Sequence, residues 1–157
     1  EAAGGESNLP YFLAILTSDQ TSLSASTATK VTLDTARYDT ASDWDGTNKR
    51  WVPSTAGKYL IFGVAYCKDG TGSANLHNTY LYRNGTKIVD AIVDKRNGPG
   101  GYGTSPFAQA IMDMNGSSDY VELFGAVDGS SDDTALAVQG NSSIDFTYMG
   151  GFLLSAT

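Results

Sequence analysis

The sequence contains very few residues of the types that build disulfides, metal centres and nucleophilic sites. Its 157 residues include one cysteine, Cys67, and one histidine, His77. A lone cysteine forms no intrachain disulfide and excludes the cysteine clusters that bind structural zinc. Because Cys67 ends an apolar run of strand composition, we expect it to be a small buried hydrophobe. No local motif supports a Cys-His nucleophilic pair, and we expect His77 to be a packing or surface residue.

The chain also lacks a surplus of basic residues and any long apolar run. Acidic residues number 17 against 10 basic ones, which gives a net charge of −7. This charge provides no long-range attraction to nucleic acid, and no stretch approaches the roughly 20 apolar residues of a membrane-spanning helix. We therefore expect neither a nucleic-acid partner nor membrane insertion. Residues 1–10 lack the basic and apolar segments of a secretory signal, and we interpret them as a linker or stalk remnant.

Helical periodicity is absent, whereas strand signals recur along the chain. Gly, Ser, Thr and Asn interrupt every apolar segment before it reaches the roughly ten residues of a stable helix. Asn84-Gly85 is typical of a two-residue type I′ hairpin turn between strands. The pattern predicts a β-sandwich or barrel with longer strands at residues 11–16, 58–67, 76–83, 86–93, 105–114, 120–127 and 144–154.

Three segments carry more specific expectations. Residues 58–67 are apolar on almost every position, which predicts a central strand covered on both sides. Residues 38–53 hold both tryptophans around Asp45-Gly46 and predict a hairpin-like excursion. The composition of residues 17–30 leaves loop and edge strand equally open.

The order of several short motifs resembles the globular-head family of complement component 1q, which belongs with the tumour necrosis factor-like jelly rolls. The matching pieces, in chain order, are Phe12, Tyr38-Asp39, Trp51-Val-Pro53, Gly57-Lys-Tyr59, Leu81-Tyr-Arg-Asn-Gly85, the segment Met114 to Leu123, and Tyr148-Met-Gly-Gly-Phe-Leu-Leu154. The sequence departs from the family at Ile61, where a phenylalanine is usual, and in a longer loop after Met114. The resemblance implies an all-β domain at residues 11–157: a ten-strand jelly-roll sandwich of two antiparallel sheets, assembled as a homotrimer.

The last strand carries more apolar side chains than one face of a terminal strand needs. We expect a neighbouring protomer to cover part of this surface, which would also hide a strand edge. The alternative is that these side chains fill the core of their own sandwich. The predicted trimer-interface residues are Phe12, Phe146, Tyr148, Phe152 and Leu154.

Loop lengths divide the two ends of the predicted sandwich. In antiparallel strands alternate connections lie at the same end, so the turns at Asn84-Gly85 and Asn115-Gly116 should share the end that holds both termini. The longer loops, residues 68–75, 94–104 and 128–134, should share the opposite end, where binding usually resides. Hydrogen-bond donors and an aromatic ring suited to sugars or polar protein surfaces predict a ligand site at Lys95, Arg96, Asn97 and Tyr102. The alternative is a solvated loop.

A short acidic loop suggests a metal site. Asp128, Asp132 and Asp133 group hard oxygen ligands suited to Ca²⁺, and some members of the resembled family bind calcium near their apex. Their spacing matches no twelve-residue calcium loop. The alternative is that the three charges keep this end of the protein soluble.

These features lead to a functional expectation and its alternatives. We expect a non-enzymatic receptor-binding head domain of a trimeric virion tail fibre or head spike, a phage or bacterial member of the family. It would lie extracellularly on a virion or bacterial surface, follow an upstream stalk, and recognise host cell-surface polysaccharide or an envelope protein. The alternative is a trimerisation cap that recognises nothing. A glycan hydrolase needs two carboxylates roughly 5–9.5 Å apart, and no motif joins candidates such as Asp94 and Asp128.

Overall fold

The computed structural model describes residues 9–70, 74–96, 103–129 and 135–157. All fourteen regular elements in these ranges are β-strands, and no helix in them is long and apolar enough to cross a membrane. The strands are β1 (Tyr11–Ile15), β2 (Gln20–Thr21), β3 (Thr29–Lys30), β4 (Thr35–Asp39), β5 (Trp44–Asp45), β6 (Arg50–Trp51), β7 (Ala56–Val64), β8 (Cys67–Lys68), β9 (Leu76–Arg83), β10 (Thr86–Asp94), β11 (Phe107–Asn115), β12 (Val121–Asp128), β13 (Ala137–Val138) and β14 (Tyr148–Ala156).

The strands form two main sheets and one small one, and every pairing is antiparallel. The first sheet has five strands in the order β11-β7-β14-β1-β4. The second has six strands, with the order β10-β9-β12-β6-β5 and with β3 beside β12. The small sheet, β2-β13-β8, joins short loop segments. The predicted antiparallel sandwich is confirmed.

The core lies between the two main sheets and is centred on aromatic rings. The ring of Trp51 stacks on Phe12 at a centroid distance of 4.4 Å and meets the edge of Tyr59 at 5.0 Å. All three side chains are buried. Because strand side chains alternate between faces, the inward residues of β1, β6 and β7 meet here while their neighbours point outward.

The predicted count of ten strands is wrong, because the chain pairs briefly within its connections. The ambiguous residues 17–30 contain β2 and β3, and the predicted excursion at residues 38–53 contains the paired strands β5 and β6. Two-residue strands carry too few side chains to show a period of two in the sequence. The last strand also begins later than expected: Ile144 lies in a turn, where its N–H donates to the side chain of Asn141 at 2.9 Å.

The strand predicted at residues 58–67 is divided and is covered on one side only. It forms β7 and β8, and the inward side chains of β7, such as Tyr59 and Ile61, are buried. The outward side chains of Leu60 and Phe62 keep partial exposure. Both faces of β7 are apolar, but within the described residues of this protomer only the inward face is covered by another layer.

The two ends of the sandwich differ in the way the sequence predicts. At one end the turn at Asn84-Gly85 adjoins Asp119, since the Asn84 side chain donates to the Asp119 carboxylate at 2.7 Å. Pro10 and Thr157 lie there too: the N–H of Leu153 donates to the carbonyl of Pro10 at 3.0 Å, and the N–H of Thr157 donates to the carbonyl of Ala56 at 3.3 Å. The described residues that directly follow β8, β10 and β12, namely Asp69, Lys95 and Gly129, lie at the opposite end, which we call the distal end.

Candidate functional site

The outward side of the five-stranded sheet is a predominantly apolar surface, which we call the apolar face. Strand register places Tyr11, Phe152, Leu60 and Ile111 in one row across four strands. Paired residues of neighbouring strands point to the same side of a sheet, so these side chains form one surface. Phe152 is 41% exposed and Ile111 is 63% exposed. Further members of the apolar face are Leu13, Tyr38, Phe62, Phe107, Tyr148 and Leu154.

Aromatic rings on the apolar face contact one another rather than pointing separately into solvent. The ring of Phe62 lies 6.3 Å from that of Phe107 and 6.4 Å from that of Tyr148. Tyr11 and Tyr38 are 6.4 Å apart on the same face, toward its β4 edge. Large contiguous apolar surfaces are rare on monomeric soluble proteins and mark interaction sites.

Three of the five residues predicted at a trimer interface lie on the apolar face: Tyr148, Phe152 and Leu154. Phe12 does not, because it points inward, is 2% exposed and stacks on Trp51. We correct this prediction: a side chain that fills the protomer's own core has no surface left for a partner. Phe146 precedes β14 and packs against Tyr66 at 5.3 Å, near the distal end.

The predicted ligand residue Lys95 is buried at the distal end. It is 8% exposed, and its ammonium lies 3.0 Å from the carboxylate of Asp69, which is 2% exposed. Burial alone would raise the pKa of Asp69, but hydrogen bonds from the N–H of Ala74 and from Lys95 outweigh it and lower that pKa. The pair therefore fastens the connection after β8 to the end of β10, and we correct Lys95 from a ligand-binding residue to a structural one.

The other predicted ligand residues divide between the surface and the undescribed ranges. Arg96 is exposed, and its guanidinium binds the carboxylate of Asp94, which lowers the pKa of Asp94 to about 2. Asn97 and Tyr102 lie outside the described residues.

The predicted calcium ligands are in a similar position. Asp128 ends β12 and accepts a hydrogen bond from the hydroxyl of Ser26, while Asp132 and Asp133 lie outside the described residues. Within the described ranges, no group of three or more His, Cys, Asp or Glu side chains is placed to hold a metal ion.

Cys67 and His77 are both buried in the interior, and the pKa of each is shifted away from the value that a reactive side chain would need. Burial raises the pKa of the Cys67 thiol to about 12, so the thiolate that would act as a nucleophile is strongly disfavoured. Burial also lowers the pKa of His77 to about 4, assisted by the nearby charge of Lys95. The Nδ1 of His77 lies 2.8 Å from the hydroxyl of Thr104. Both residues are packing residues, as expected.

A cleft crosses the outward side of the six-stranded sheet near the distal end. It has a volume of about 370 Å³ and spans β9, β10 and β12. Its lining among the described residues consists of Ser26, Leu76, Asn78, Tyr80, Asp90, Ile92, Ala126 and Asp128. We call it the Tyr80 cleft. A smaller hollow of about 230 Å³ adjoins it at Leu76 and Asp128 and is bordered by Asn75 and Arg96.

The polar groups of the Tyr80 cleft are held in place by their neighbours. The side-chain amide of Asn78 donates to one oxygen of Asp90 at 3.0 Å, and the ammonium of Lys87 lies 2.9 Å from the other. Lys87 also lies 4.6 Å above the ring of Tyr80. Burial and the charge of Asp90 raise the pKa of Tyr80, so its hydroxyl stays protonated. The cleft thus presents two oriented carboxylates beside apolar and aromatic surface.

Sequence reasoning missed the Tyr80 cleft because its residues come from three strands and one loop. The strand pairing places Ile92, Asn78 and Ala126 in one row, and Asp94, Leu76 and Asp128 in the next. The sequence predicted a strand at residues 76–83, but it did not show which strands lie on either side of it. The same register places Asp94 and Asp128 on opposite sides of Leu76, with the Asp94 carboxylate already bound by Arg96.

Solved structures with a similar fold include the globular domain of zebrafish complement 1qA and murine APRIL. The zebrafish domain superposes with a TM-score of 0.64 at 12% identity, covering 95% of this chain and 99% of that one. APRIL crystallised at pH 8.0 gives a TM-score of 0.63 at 10% identity, covering 92% and 98%. APRIL at pH 5.0 gives 0.62 at 10%, covering 93% and 99%. The predicted complement 1q and tumour necrosis factor-like jelly roll is therefore confirmed as a fold.

No protein-family model matches this sequence, and no curated protein matches it.

Proposed function

We propose that this chain is the non-enzymatic receptor-binding head domain of a homotrimeric virion tail fibre or head spike of phage or bacterial origin. It recognises host cell-surface polysaccharide from the distal side and its long connections. Its place is extracellular, on the surface of a virion or a bacterial cell. Residues 11–157 form the head and residues 1–10 lead to the upstream stalk.

The apolar face is the observation that carries the proposal. A row such as Tyr11, Phe152, Leu60 and Ile111 exposes aromatic and aliphatic side chains on the outward side of a sheet, where water contact is unfavourable. A threefold partner that covers this row removes apolar surface from water at about 25 cal/mol per Å². Two copies of the same face also match each other in chemistry, because neither carries a dense set of charges.

The separation of the two ends supports a role in recognition. Pro10, Thr157 and the tight turns share one end, so a stalk attached through Pro10 leaves the distal end pointing away from it. Rigid strands present the long connections and the Tyr80 cleft on that side. A scaffold of this kind holds binding groups in fixed positions, as in other sandwich proteins that bind through their loops.

The electrostatic states of candidate reactive groups favour binding over catalysis. Cys67 has a pKa of about 12, and the carboxylate of Asp94 has a pKa of about 2. A general acid needs a carboxyl group whose pKa is raised toward neutrality. Asp94 is shifted in the opposite direction by Arg96, so it is unsuited to that role.

Light scattering and adsorption of the purified protein test the proposal directly. We expect a mass three times that of the 16.5 kDa chain at micromolar concentration and retention on purified host-envelope polysaccharide. A monodisperse monomer would contradict the assembly, and a trimer that is retained by no envelope fraction would contradict recognition.

A trimerisation cap without recognition is the alternative, and a loop replacement distinguishes it. Residues 97–102 should be exchanged for a Gly-Ser linker of equal length. The exchange begins after Lys95, which pairs with Asp69, and ends before Thr104, which contacts His77. If these residues serve recognition, the variant virion loses adsorption while the trimer persists. A cap would keep full infectivity.

A further inference from the structure

We propose that the Tyr80 cleft is a binding site for a neutral saccharide, which it holds by accepting hydrogen bonds from sugar hydroxyls. This inference rests on the proposed recognition of polysaccharide and adds a site on the sheet to the distal connections. The site is built from β9, β10, β12 and Ser26.

The lining has the two surfaces that a sugar ring needs. Leu76, Ile92 and Ala126 provide apolar contact for the C–H side of the ring, and Tyr80 forms a wall. Asp90 and Asp128 provide oxygens that accept hydrogen bonds from neighbouring hydroxyls. A volume of about 370 Å³ lies in the range of ordinary small-ligand sites.

The carboxylates are already positioned before any ligand arrives. Asp90 is held by Asn78 at 3.0 Å and Lys87 at 2.9 Å, and Asp128 is held by the hydroxyl of Ser26. Each retains further lone pairs, since an ionised carboxylate accepts about four hydrogen bonds. Such preorganisation reduces the entropy that binding costs.

The charge of the cleft favours a neutral ligand. An anionic sugar would meet Asp90 and Asp128 in the lining, and the whole chain carries a net charge of −7. A cationic peptide is less suited, because Asp90 already has Lys87 as its counter-charge and Arg96 borders the adjoining hollow. The hydroxyls of a neutral sugar donate to carboxylates without displacing these partners.

Assembly through the apolar face leaves the Tyr80 cleft accessible. The apolar face belongs to β11, β7, β14, β1 and β4, whereas the cleft belongs to the outward side of the other main sheet. Exposed positions on the cleft side, such as Ile92 at 53%, remain in contact with water.

Titration of the full chain with methyl glycosides tests the site. The measured signal is the change in the amide chemical shifts of β9, β10 and β12. The probes are the methyl glycosides of glucose, galactose, mannose and rhamnose, with methyl glucuronide and tetralysine for comparison. Ile92→Trp should fill the cleft, and Asp128→Asn should remove one charged acceptor. Ile88→Trp is the matched control, because Ile88 is 48% exposed on the same strand and does not line the cleft.

We expect at least one neutral glycoside to shift cleft signals, with binding about tenfold weaker or more in Asp128→Asn and Ile92→Trp and unchanged in Ile88→Trp. Preference for methyl glucuronide or tetralysine, or shifts confined to other strands, would overturn the assignment.

Adsorption of the trimer to envelope polysaccharide separates the two proposals. If Ile92→Trp trimers adsorb like wild type, the cleft assignment fails and the receptor-binding function stands. If the cleft binds glycosides but no trimer adsorbs to envelope polysaccharide, the cleft assignment stands and the receptor-binding function fails.

Discussion

His77 occupies a polar pocket in an otherwise apolar interior. It is fully buried on β9, its Nδ1 contacts Thr104, and the nearby charged groups are Lys95 and Asp69. Burial disfavours a second proton on the ring, and the Lys95 ammonium adds to this effect, which together keep the imidazole neutral in the folded state.

The stability of the protein should therefore fall as the pH is lowered. The pKa of His77 is about 4 in the fold against 6.5 for the free side chain, so below pH 6.5 the unfolded chain binds a proton that the folded chain refuses. The loss of unfolding free energy caused by His77 should begin near pH 6.5, level off near pH 4 and reach about 3 kcal/mol. Urea unfolding at pH 7.0 and 4.5 measures it. His77→Gln should show a much smaller difference, and equal losses in both proteins would contradict the assignment.

The buried pair of Asp69 and Lys95 should matter more to folding than a surface pair. Asp69→Ala removes the carboxylate that faces a buried ammonium, and we expect a loss of about 3–5 kcal/mol. Asp94→Ala is the control, because the Asp94–Arg96 pair is exposed and should contribute little to stability. Denaturant midpoints of both variants give the comparison. A similar small loss in both would show that the buried pair is dispensable.

Single residues were the hardest part to predict from the sequence. Phe12 lies in the first strand and Phe152 in the last, and both have the same side chain. Nevertheless Phe12 is 2% exposed and Phe152 is 41% exposed. Where both faces of a strand are apolar, alternation does not reveal which face is inward. Lys95 was misassigned for a related reason: its partner Asp69 lies 26 positions away, and only the fold brings the two together.

At the level of elements, turn chemistry predicted one long hairpin well, whereas a second hairpin around Asn115-Gly116 does not form, because β11 and β12 lie in different main sheets. Asn84 and Gly85 adopt φ angles of 51° and 75°, as a type I′ turn requires, and the flanking strands β9 and β10 have the expected extents. The short strands β2, β3, β8 and β13 carry no such signal, since their two residues each pair with distant segments.

Two turn glycines should respond differently to a methyl group. Gly85 and Gly116 have nearly equal φ angles of 75° and 71°, so alanine brings about 1–2 kcal/mol of backbone strain to either. At Gly85 the new Cβ would lie 3.7 Å from the Tyr120 hydroxyl, whereas at Gly116 it would lie 2.3 Å from the backbone nitrogen of Ala56. We expect Gly116→Ala to cost about 1–3 kcal/mol more than Gly85→Ala in thermal or urea unfolding. Equal costs would mean that the Ala56 backbone moves aside easily.

For the whole molecule, a charge on the apolar face should separate the protomers. Phe152→Glu places a carboxylate at the centre of that face, where a partner would bury it unpaired at a cost of several kcal/mol. Ile88→Glu is the control, an exposed position on the other main sheet. Sedimentation should find Phe152→Glu monomeric and Ile88→Glu trimeric. An intact Phe152→Glu trimer would move the interface elsewhere.

Pro10 and Thr157 are fastened to the same end of the sandwich. The N–H of Leu153 donates to the carbonyl of Pro10 at 3.0 Å, and the N–H of Thr157 donates to the carbonyl of Ala56 at 3.3 Å. A fluorescent protein or an affinity tag joined after Thr157 would therefore leave the molecule on the side away from the Tyr80 cleft. The domain is thus suited to display on a bead or sensor with its recognition surface uncovered.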